Sequence, residues 1–102
     1  MRPPPIFLFT DFGHAGPYVG QMTGAILARH PDVAVIDLMQ DAPAMRPDLA
    51  AYLLPACCAA LPKGSIVVAV VDPGVGGERA ALIVETPVLT AVGPDNGLLS
   101  RL

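Results

Sequence analysis

The sequence predicts an α/β domain, a mostly parallel β-sheet flanked by helices, and three observations carry that expectation. Short apolar runs alternate with longer segments of helical character in the order strand, helix, strand, helix, strand. The strand candidates are nearly continuous in valine, isoleucine, leucine and phenylalanine, as strands buried on both faces require. Four of them end at or near an aspartate, namely Asp11, Asp37, Asp72 and Asp95, and ligands of open α/β sheets bind beyond the carboxyl ends of the strands. This order calls for crossover connections, which are right-handed in parallel sheets.

Ile6 to Phe9 reads as a buried strand ended by the loop Thr10-Asp11-Phe12-Gly13. Tyr18 to His30 places Tyr18, Met22, Ala25, Ile26 and Arg29 at helical spacing, with Pro31 as a stop. Val33 to Leu38 is a second β-branched run, followed by a polar, proline-containing loop through Met45-Arg46-Pro47. Asp48 to Ala60 should be helical, with Asp48 near its N-cap and Pro62-Lys63-Gly64 past its end. Pro55 lies inside that helix and is expected to remove a hydrogen bond and kink it. Ser65 to Val71 is the strongest strand signal, stopped by Asp72-Pro73-Gly74, and Ala80 to Glu85 and Val88 to Val92 are two further short runs before Pro94-Asp95-Asn96-Gly97.

The 102 residues fit one domain with a modest core, residues 1–102. With 53% hydrophobic and 15% charged residues, disorder is excluded and much of the surface calls for cover. Six Lys+Arg and a net charge of −3 leave no basic stripe for a phosphate backbone, so nucleic acid is not an expected partner and a small molecule is. Met1-Arg2-Pro3-Pro4-Pro5 precedes an apolar run too short for a signal peptide, which points to a cytoplasmic location. Leu49 to Leu61 carries Pro55 and is too short for a membrane span. The adjacent Cys57 and Cys58 match neither a disulfide framework nor a zinc knuckle, so they read as small core residues, and no metal site is expected.

Asp72 to Arg79 is the most informative segment. Gly74, Gly76 and Gly77 let a backbone pass close to a ligand, and a carboxylate and a guanidinium at the two ends of this loop can face each other across it. Composition alone favours a plainer reading, a tight turn with a surface ion pair. The segment is no dinucleotide fingerprint, because Arg79 stands where the last glycine of G-x-G-x-x-G would fall.

Thr10-Asp11-Phe12-Gly13 with Tyr18-Val19-Gly20, then Val70 to Gly76 with Arg79, then Pro94-Asp95-Asn96-Gly97, resembles the S-adenosylmethionine hydroxide adenosyltransferase family, related to the fluorinating and chlorinating enzymes. The similarity covers nearly the whole chain and identifies it with the amino-terminal domain. The resemblance implies hydrolysis of S-adenosylmethionine to adenosine and methionine by displacement at the ribose C5′. It further implies no cofactor beyond that substrate, and homotrimers whose sites lie between the first domain of one subunit and the second of the next. Asp11 resembles the aspartate that holds the ribose hydroxyls, Phe12, Tyr18, Asp95 and Asn96 fall in the substrate-binding motifs, and Asp72 and Arg79 resemble two members of a catalytic Asp-Arg-His set. Halogenating relatives carry an aromatic residue and small polar groups in place of this Asp and Arg, and Asp72 would repel an anion, so hydrolysis is favoured.

The sequence departs from the family at Gly16, where an aspartate or serine is common, at Gln40, where histidine is common, and at Met45-Arg46-Pro47. His14 and His30 do not match the catalytic histidine, which with the second domain would lie beyond Leu102. Little or no turnover is therefore expected of these residues alone. The competing readings are a non-catalytic module binding adenosine or S-adenosylmethionine, a chlorinase-like halogenase, and a structural fragment that needs a partner to fold.

Overall fold

Each apolar run becomes a strand and each longer segment a helix. The computed structural model describes residues 2–74, 77 and 79–102; Met1, and Val75, Gly76 and Glu78 of the glycine loop, lie outside the described residues. The elements are β1 (Ile6–Thr10), α1 (Tyr18–Arg29), β2 (Val35–Met39), α2 (Pro47–Cys58), β3 (Ser65–Val70), β4 (Ala81–Glu85) and β5 (Leu89–Pro94). One sheet of order β2-β1-β3-β5-β4 holds all five strands, and only β4 runs antiparallel to its neighbour, β5. The α/β expectation therefore holds.

Two local details differ from the expected ones. Asp48 lies near the N-cap as expected, but the helix begins one residue earlier, at Pro47 with Arg46 as cap, because proline at the first helical position has no N–H to leave unpaired and its φ is already helical. Asp48 sits in the first turn and accepts two hydrogen bonds from the Arg46 guanidinium, at 2.9 and 2.8 Å, an exposed pair that holds its carboxyl below the usual range. β2 begins at Val35 rather than Val33, whose N–H instead closes a turn onto the His30 carbonyl.

Alternation along the strands separates two faces. Phe7 and Phe9 pair with Val67 and Ala69 on one face, where α2 lays Ala50, Leu54 and Cys58 over them and Leu89, Ala91, Leu98 and Leu99 complete the core. On the opposite face Met22, Ala25, Ile26 and Arg29 of α1 border a groove over Ile6 and Val68, so the helical stripe read from the sequence is the one turned to the sheet. No residue of α1 is fully buried, and Ile83 on β4 is 70% exposed, so this second face is thinly covered. Among the described residues no helix is long and apolar enough to cross a membrane.

From β1 the chain first adds β2 on one side and then crosses to add β3 on the other. The carboxyl ends of β1 and β3 therefore border a topological switch point, where open α/β sheets form their crevice.

Candidate functional site

Thr10 pairs with Val70 in the last rung between β1 and β3, so Asp11 and Asp72 leave the sheet side by side at that switch point. A cleft of about 560 Å³ opens there, and Asp11, Phe12, Tyr18 and Asp72 of the expected set all line it. Met22, Ala44, Met45 and Val70, to which the sequence assigns no site role, complete the walls. The rings of Phe12 and Tyr18 meet edge to face with centroids 6.0 Å apart, and most of Tyr18 stays open to the cleft and solvent.

The expected convergence of Asp72 and Arg79 is present. Arg79 Nε lies 3.0 Å from Asp72 Oδ1, with the carboxylate side chain 6% exposed and the guanidinium side chain 36% exposed. The Gly74 N–H donates to the same Oδ1 at 2.9 Å, closing the turn after β3. This is more than the plain surface pair that composition favoured, because the carboxylate is almost covered and borders the cleft. Gly74 permits it: a Cβ there would stand 2.7 Å from Arg79 Nη2.

Asp11 is held by a different neighbour. Its Oδ2 accepts the Met45 N–H at 2.7 Å, across the loop that follows β2. Below it Thr10 Oγ1 donates to Gln40 Oε1 and accepts the Phe12 N–H at 3.1 Å, so the end of β1 is braced from two sides. Gln40 is fully buried, and its Nε2 has no partner among the described residues.

Asp95 and Asn96 are not among the residues that line the cleft. Asn96 Nδ2 donates to the Val71 carbonyl at 2.9 Å while its Oδ1 accepts the Leu98 N–H at 3.1 Å, which ties the exit of β5 to the exit of β3. Asp95 is exposed and turns its carbonyl toward Arg79 Nη1, 3.4 Å away. Asp37 stands mid-strand in β2 rather than at its end, 3.7 Å from His14, in a separate shallow depression with Gln40 and Asp41. Among the described residues no cluster of three His, Cys, Asp or Glu side chains suited to a metal ion occurs.

Two carboxylates beside an apolar cleft, one of them paired with a guanidinium, suit a ligand that carries hydroxyls and positive charge and disfavour an anion. The sequence profile of the SAM hydroxide adenosyltransferase N-terminal domain matches residues 6–102. The chain belongs to this family. A family member from Thermus thermophilus, named (R)-S-adenosyl-L-methionine hydrolase, is 42% identical over 96 residues, which cover 94% of this chain and 37% of that protein. A Methanocaldococcus jannaschii protein of the same name is 39% identical over 100 residues, covering 93% and 38% respectively. Among solved structures, a conserved protein of T. thermophilus superposes with a TM-score of 0.82 at 44% identity, covering 99% of this chain and 41% of that one. A conserved protein of Thermotoga maritima does so with a TM-score of 0.86 at 30% identity, covering 92% and 36%. The chain thus spans little more than a third of the length of the curated family members it matches.

Proposed function

We propose that the chain is the substrate-holding amino-terminal domain of an S-adenosylmethionine hydrolase. Water attacks C5′ of the ribose, the C5′–S bond breaks with its electron pair going to sulfur, and adenosine, methionine and one proton are released. The observation that carries this reading is that Asp72, nearly covered and braced by Arg79 at 3.0 Å, borders the same cleft as Asp11 from the adjacent strand.

In this reading Asp11 accepts hydrogen bonds from the ribose hydroxyls while Phe12 and Tyr18 flank the adenosyl group. Asp72 receives the proton of the attacking water, and Arg79 orients that carboxylate and offsets its charge. Asn96 acts one step removed, by holding the Val71 carbonyl next to Asp72. Attack on a sulfonium extinguishes charge, so a cleft with mostly apolar walls favours the products over the separated ion and nucleophile. A halide would meet Asp72 directly, which favours water.

The test is to join this chain to the remaining portion of the T. thermophilus relative and incubate it with S-adenosylmethionine in water and in chloride. Chromatography should show adenosine and no chlorodeoxyadenosine. Asp72→Ala or Arg79→Ala should each lower adenosine formation by about 10²-fold or more, and unchanged rates would reject both assignments. A second reading, ligand binding without turnover, draws on the open cleft that Asp11 and Asp72 border. The residues present form one wall of a site, and orientation from both halves is needed for displacement. Little adenosine is therefore expected from the 102-residue chain alone.

A further inference from the structure

Met45 is the one described non-glycine residue with a positive φ, +58°, and it stands 63% exposed on the wall of the cleft. A methionine in the left-handed region is held there by its surroundings, and such outliers gather where a site needs a particular backbone direction. Here that direction aims the Met45 N–H at Asp11 Oδ2, 2.7 Å away, a short bond strengthened by the carboxylate charge. That bond engages Oδ2 and leaves Oδ1 free of any described side-chain or backbone donor.

We infer that Met45 is a positioning residue. Its main-chain N–H, delivered by this left-handed turn, presets Asp11 to receive the vicinal hydroxyls of a ribonucleoside. The inference rests on the functional reading above and adds the device that orients its sugar anchor. The role belongs to the backbone, so residues that accept a positive φ can fill it, and a β-branched residue, which resists that conformation, cannot.

The experiment uses the uniformly labelled chain and nuclear magnetic resonance. A scalar coupling across the hydrogen bond, from the Met45 amide nitrogen to the Asp11 carboxyl carbon, should be visible and should vanish in Asp11→Ala. Adenosine is then titrated into the chain joined to the remaining portion of the T. thermophilus relative, with Met45 in place and as Met45→Gly, Met45→Asn and Met45→Val. All three substitutions shorten the side chain on the cleft wall, but glycine and asparagine should keep the coupling, whereas valine should lose it and bind about tenfold more weakly than either, the order expected for losing one charge-assisted hydrogen bond. An absent coupling in the native chain, or a loss of affinity in Met45→Gly as large as in Met45→Val, overturns the inference. Failure of that joined chain, with Met45 in place, to bind adenosine while the coupling is present overturns the functional reading and leaves the clasp between Met45 and Asp11 standing.

Discussion

At Gly74 the backbone runs so near Arg79 that a methyl group would sit 2.7 Å from Nη2 and 3.4 Å from Asp72 Oδ1. Gly74→Ala should therefore push the guanidinium off the carboxylate while leaving the core untouched. In the chain joined to the remaining portion of the T. thermophilus relative, adenosine formation should drop by about 10- to 100-fold with a thermal midpoint close to that of the parent. A normal rate would show that the pair tolerates displacement. A second residue-scale prediction concerns the buried hydroxyl under the cleft. Thr10→Val strips Gln40 Oε1 of its donor where Gln40 Nε2 is already unpartnered among the described residues, and should cost about 1–3 kcal/mol in urea unfolding. Adding Gln40→Leu should return much of that loss, because the stranded polar group goes with it. Asp72 and Arg79 were legible in the sequence because they flank one short loop. Nothing local ties Met45 to Asp11, 34 positions away, so that contact was invisible until β1 and β2 were seen side by side.

α2 shows how an element can be read correctly in outline and missed in detail. Its helical character and the place of Asp48 near its start are as expected, yet the helix begins one residue earlier at Pro47 and runs through Pro55, which has no N–H for the carbonyl one turn earlier. Near its end Cys58 is packed against the sheet, and burial, with a lesser contribution from the neighbouring Cys57, pushes its thiol up to about 11 from 9.0. The folded protein thus keeps the proton longer than the unfolded chain does. Its contribution to stability is complete below about pH 9 and is lost as pH rises toward 11. Urea midpoints compared between roughly pH 8.5 and roughly pH 10.5 should fall more steeply in the parent than in Cys58→Ala; parallel curves would count against it. Of the residues at helical spacing on α1, Met22, Ala25, Ile26 and Arg29 border the groove over the sheet, because a period of 3.6 leaves little choice of face, while Tyr18 at the helix start stands exposed at the cleft instead.

For the molecule as a whole, the thin cover over the face that carries Val68, Val92 and Ile83 is the visible consequence of a 53% hydrophobic composition in so short a chain. Ile83→Glu should lower the fluorescence of a bound anilinonaphthalene dye and change stability by no more than about 0.5 kcal/mol, as for other surface substitutions; undiminished dye signal would place the exposed surface elsewhere. The class of the fold, the order and type of its elements, and the closeness of Asp72 to Arg79 could all be read along the chain, since periodicity, turn residues and short separations act locally. Which strand ends share a cleft could not. Four aspartates stand at or near strand ends in the sequence, but the strand order β2-β1-β3-β5-β4 brings Asp11 and Asp72 together at the switch point, leaves Asp37 on an outer strand, and sets Asp95 beyond the cleft wall with Asn96 as a brace. Strand order is settled by the packing of whole faces against α1 and α2, an energy spread over many side chains that no single segment carries.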